Sequence, residues 1–214
     1  LPAKRDAASP IAAQQQEHAA TQTADDLSAV RAVFMEPARE LPPEVKAKPL
    51  VQFATSLRDV LEGGEITPLM EKIAAAPESL IALEQLTGRD EELNEYLATH
   101  YKVGLMYEPA VDRMYRRGYE HPDLFLDAIF ALMPVSDGYM AEGIVGGWHD
   151  FLIGRPEFLL EHRDRITGPD APALASLCSE YLPETRQVLT AHFRKLQGKP
   201  GVQEVLEWLA CEEQ

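Results

Sequence analysis

Prolines fall at roughly even intervals along this chain, at Pro43, Pro68, Pro77, Pro109, Pro122, Pro156, Pro172 and Pro200. Proline's φ is fixed near the helical value and its nitrogen has no hydrogen to donate, so it suits the first turn of a helix and spoils the interior. A chain punctuated in this way reads as many short helices joined by tight turns.

The apolar spacing between these marks agrees. Asp26 can cap a short helix running to Phe34 or Met35, and after Pro37, Pro42 and Pro43 a second helix is expected from Glu44 to Glu62, closed by Gly63 and Gly64. Two shorter segments, Pro68 to Ala76 and Pro77 to Leu86, read as a helical hairpin. The clearest amphipathic pattern starts after Asp90, where Leu93, Tyr96, Leu97, His100, Tyr101, Gly104 and Leu105 share one helical face.

Pro109 opens a basic helix with Arg113, Arg116 and Arg117, ended by Gly118. The next helix, Asp123 to Met133, is apolar almost all round and therefore belongs at the centre of the fold. Helices are also expected from Asp137 to Ile153, with a turn near Gly146 as the competing reading, and from Arg155 to Ile166. A final pair runs from about Ala171 to Leu196, kinked at Pro183, and from Pro200 to Cys211.

No stretch alternates apolar and polar residues with the β-branched enrichment of a strand, so the fold class is all-α. Short antiparallel helices of uneven length fit an irregular multi-helix bundle or a HEAT-like stack of helix pairs. No signature recurs at the period of about 34 to 47 residues that helical repeats show. Residues 1–24 are rich in Ala, Gln and Thr with few large apolar groups, and read as a mobile N-terminal arm or a frayed helix. Residues 25–214 form a single helical domain in this reading.

Charge narrows the partners. With 35 acidic residues against 20 basic, the net charge of −15 repels phosphate backbones, which disfavours nucleic acid. No apolar run is long and uncharged enough to span a membrane. The acids concentrate between Asp59 and Glu95, where only Lys72 and Arg89 oppose them, and again after Lys199 at Glu204, Glu207, Glu212 and Glu213. Glu84, Glu91, Glu92 and Glu95 are accordingly candidate contacts to another protein, a basic one being the best electrostatic match.

Catalytic patterns are missing. No histidine has a glutamate three residues before it, there is no Gly-x-Ser-x-Gly elbow, and no phosphate-cradling loop occurs. His100, His162 and His192 lie on apolar helix faces, the one arrangement from which a metal-binding or enzymatic bundle could be built. Trp148, His149 and Asp150 follow a glycine-rich stretch and are the second candidate binding group; the plainer reading puts Trp148 in the core and the other two on a helix surface. Neither a metal nor a cofactor is expected.

The two cysteines, Cys178 and Cys211, can close one disulfide, with a buried free thiol at Cys178 as the alternative. If Leu1 is a processed N-terminus the protein is periplasmic or secreted; otherwise it is cytoplasmic. Together these features describe a non-catalytic protein that binds another protein through an acidic helical surface, as an inhibitor, immunity protein or adaptor does. The alternative is a helical enzyme or metal-binding bundle centred on the helix-face histidines.

Overall fold

A computed structural model describes residues 10–105, 107–166, 176–178 and 183–211, with side chains from Thr23 onward. The described residues form thirteen α-helices and contain no strand. These are α1 (Pro10–Met35), α2 (Pro43–Lys46), α3 (Pro49–Leu61), α4 (Thr67–Ala75), α5 (Glu78–Thr87), α6 (Glu91–His100) and α7 (Glu108–Arg117). They continue with α8 (Pro122–Leu132), α9 (Gly138–Gly154), α10 (Pro156–Glu161), α11 (Arg163–Ile166), α12 (Pro183–Arg194) and α13 (Val202–Leu209). Residues 10–24, at the end of the expected arm, are the first turns of α1.

Prolines sit in the first two positions of α2, α3, α4, α7, α8 and α10, where a missing amide hydrogen costs nothing. Two of the expected helices are nevertheless divided and a third is cut short. Pro49 splits the segment expected from Glu44 to Glu62, with Lys48 in an extended conformation at the break. The helix after Asp90 stops at His100 rather than reaching Leu105, because Lys102 takes a φ of 60° and the backbone turns away. Gly104 N and Leu105 N then donate to Glu108 Oε2, at 3.2 and 3.1 Å, in the turn that leads into α7. The stretch from Arg155 to Ile166 breaks at His162. Part of the helix expected from Ala171 lies outside the described residues, and α12 starts at Pro183, the position of the expected kink.

The packing is that of a multi-helix bundle. In a stack of helical pairs each unit touches only its neighbours. Here α4 lies along α8, with three helices intervening in sequence, and α3 packs against α1, α2, α4, α5 and α7. α8 is central, as its composition requires, burying Phe125, Leu126, Ala128, Ile129 and Leu132. Phe125 meets an aromatic cluster of Trp148, Phe151 and Phe158, with Phe151 and Phe158 edge to face at 4.9 Å. Each such side chain contributes about 1.5–3 kcal/mol through removal from water.

The glycine-rich segment is one unbroken helix, α9, with no turn at Gly146. Its glycines admit α7. A Cβ on Gly147 would lie 2.5 Å from Tyr115 Cε2, and one on Gly143 would lie 3.1 Å from the Tyr107 hydroxyl. The close approach lets Tyr115 Oη donate to Ile144 O at 2.6 Å and Tyr107 Oη to Tyr139 O at 3.1 Å. Burial pushes the Tyr115 phenol well above its ordinary pKa, so the ring stays neutral and remains a donor.

Candidate functional site

Helix α6 carries the best-exposed acids of the expected binding face, and its start explains why they stand out. Asp90 is its N-cap: the backbone there is extended, and the carboxylate accepts a hydrogen bond from Leu93 N at 3.0 Å. Glu91 and Glu92 follow in the first turn, where negative charge opposes the helix dipole. Leu93 and Leu97 are buried, which turns Glu91, Glu92 and Glu95 outward to solvent.

Asp90 itself is buried, its side chain only 1% exposed, and is paired rather than stranded. Arg31 of α1 grips it with both arms of the guanidinium, at 2.5 and 2.7 Å, and extends a third contact of 2.9 Å to Glu92. The hydrogen bond from Arg31 holds the Asp90 carboxyl below its ordinary pKa, opposed by desolvation, and the same bond raises the Arg31 guanidinium. Leu27, Arg31, Arg89, Asp90, Glu91, Glu92 and Glu95 surround one hollow of about 520 Å³. Three of the expected contact residues therefore do converge. The pair that organises them was only half legible: Asp90 has a capping position in the sequence, but nothing marks Arg31, 59 residues away, as its partner.

Further along α6, Tyr96 stacks on His100 at 4.7 Å, and Tyr101 meets both rings edge-on at 6.2 and 5.7 Å. Tyr101 Oη donates to Glu62 Oε1 at 3.3 Å. The exposed acids thus run into an aromatic strip that ends at a further carboxylate.

The remaining expected contacts are placed differently. Glu84 is half-buried and accepts from Tyr107 N at 3.1 Å, which fixes the start of α7. Trp148 is fully buried and His149 is 2% exposed, so neither presents a surface to a partner; of the three, only Asp150 is exposed. The expectation of a surface His149 fails because α9 is covered by other elements: α12 packs against the helix, and the Ser176 backbone lies beside the imidazole. Burial holds the His149 imidazole below its ordinary pKa, against a smaller opposing effect of the Ser176 backbone beside it. Its ring nitrogens lack a well-aligned hydrogen-bond partner among the described residues.

The other histidines do not assemble a centre. His100 belongs to the tyrosine cluster, while His162 packs on Phe158 at 4.3 Å and lines a cavity of about 440 Å³ with Arg155, Glu157 and Glu161. His192 Nε2 lies 3.1 Å from Glu157 Oε1, within ion-pair range but off the line of an N–H···O bond. Among the described residues no three His, Cys, Asp or Glu side chains form a group that could hold a metal ion. Two arginines of α7 pair locally, Arg116 with Asp112 and Arg117 with Glu120, both at 2.8 Å.

Cys178 and Cys211 are joined in a disulfide, which ties the end of α13 to the segment at residues 176–178. No helix among the described residues is long and apolar enough to cross a membrane. Comparison with family models, curated proteins and solved structures found no match to this chain.

Proposed function

We propose that the chain is a non-catalytic protein-binding module that engages a basic partner through α6. The observation that carries this reading is the convergence of Glu91, Glu92 and Glu95 around one hollow, on a helix whose start is locked to α1 by the Arg31–Asp90 pair. A preformed acidic rim steers a cationic partner during encounter without the entropic cost of ordering the surface on contact. The adjoining Tyr96 and Tyr101 supply the aromatic contact area that interface centres favour, together with faces onto which a lysine or arginine can pack. The Cys178–Cys211 bond supports an oxidising compartment, periplasmic or extracellular, as the place where this occurs.

The test is capture of partners from the native extract by wild-type protein and by a Glu91→Gln, Glu92→Gln, Glu95→Gln variant. A basic protein should be retained by the wild type at low salt and released as salt rises, with association to the triple variant slower by on the order of tenfold. Equal capture by both forms, or capture indifferent to salt, would remove this reading.

A further inference from the structure

A second cavity, of about 640 Å³, lies where the last turns of α1 meet the Pro37–Leu41 turn, α2, α3 and α4. Four cations line it, Arg39, Lys46, Arg58 and Lys72, against a single carboxylate, Glu40, whose side chain is 91% exposed and projects into water. On a chain with 15 more acids than bases, such a concentration of positive charge is the opposite of what the composition provides elsewhere.

Three of these four cations are in ion pairs, each longer than the tightest pairs of the fold. Arg31, Lys48, Arg116, Arg117 and Arg165 each hold a carboxylate at 2.9 Å or closer. Around the cavity the contacts are looser: Arg39 to Glu36 at 3.3 Å, Lys46 to Glu40 at 3.9 Å, and Arg58 to Asp59 and to Glu62 at 3.6 Å. Lys72, although half-buried, has no ion-pair partner among the described residues. Lys72 and Lys46, the latter with its carboxylate partner 3.9 Å away, are therefore the two cations most open to an anionic ligand.

Arg58 gives it a fixed point. Its Nη1 donates to Val33 O at 3.0 Å, one of the last-turn carbonyls of α1, and so covers part of the negative end of that helix inside the wall. Pro37, Ala38 and Leu41 provide an accessible apolar side, with Val33 and Val51 buried in the wall, and Gln52 and Ser56 provide neutral polar groups. A volume of this order lies in the range of about 300–1,000 Å³ usual for small-molecule sites, and its wall is more charged than most.

We infer that this cavity binds a small organic oxyanion, a carboxylate or phosphate monoester carried on an apolar body. The head group would take the lysines and Arg58, and the body would cover Pro37, Ala38 and Leu41. The site is separate from the acidic rim of α6, and its occupancy does not depend on a protein partner.

Calorimetric titration of the full chain at low ionic strength with sodium octanoate, octyl phosphate and inorganic phosphate tests this. Saturable one-to-one binding of at least one octyl anion is expected, about tenfold or more tighter than inorganic phosphate, and the preferred head group separates carboxylate from phosphate as the natural chemistry. Lys46→Gln with Lys72→Gln should weaken binding by about tenfold or more, while Lys195→Gln with Lys199→Gln, which removes the same charge from exposed positions outside the cavity, should leave it unchanged. Should the cavity double variant fail to fold, Lys46→Gln alone, at a position already exposed, should still weaken binding several-fold. Absence of saturable binding by every probe, inorganic phosphate binding as tightly as the octyl anions, or equal weakening in both double variants would each overturn the assignment.

Discussion

Gly146 and Gly147 are neighbours in α9 with opposite surroundings. Nothing lies within 4 Å of where a Cβ on Gly146 would stand, whereas one on Gly147 would press on Tyr115 at 2.5 Å. Gly146→Ala should therefore raise stability by about 0.5–1 kcal/mol through helix propensity. Gly147→Ala should lower it by about 1–3 kcal/mol, because the Tyr115 ring is held by Ile144 O and cannot swing aside. Urea unfolding of the two variants checks the pair, and equal effects would contradict the packing described. Asp90 makes the other prediction at this scale. Its folded-state pKa is depressed, so it contributes stability that is complete above the ordinary carboxylate pKa of about 4 and is lost as pH falls through the folded value. Asp90→Asn should cost stability at neutral pH and flatten the acid limb of the stability–pH profile measured by denaturant unfolding.

Among the elements, most boundaries follow from local chemistry where a proline or cap sits, although Asp26, expected to cap a helix, lies inside α1, and others fail where the deciding contact is remote. Pro49 alone is enough to divide α2 from α3. The end of α6 is different, since the apolar pattern continues to Leu105, yet the chain turns at Lys102 so that Glu108 can bind the Gly104 and Leu105 amides. The C-terminal elements depend on a covalent tie. The Cys178–Cys211 bond spans 33 residues and holds α13 against the segment that precedes α12. Closing a loop of that length in the unfolded chain is worth about 3–4 kcal/mol. Reduction, or Cys178→Ala with Cys211→Ala, should lower the thermal midpoint accordingly while leaving most of the helical circular dichroism, because the helices before residue 167 are held by non-covalent packing and no cross-link.

At the scale of the whole molecule, the contact between α4 and α8 and the many partners of α3 bind early and late parts of the chain into one core. Unfolding should then be a single cooperative transition, with calorimetric and van't Hoff enthalpies in agreement, whereas a stack of helix pairs would lose its ends first. The helical class, most helix starts, the central place of α8 and the outward acids of α6 were all legible in the sequence, because each rests on proline geometry, capping or the period of apolar residues within one segment. Local pattern cannot say which helices meet. That choice buried His149, set Arg31 against Asp90, admitted α7 to the glycines of α9 and gathered Arg39, Lys46, Arg58 and Lys72 around one cavity. These are contacts between residues far apart in the chain, fixed by the shapes and charges that the helix faces present to one another, and only the tertiary structure decides them.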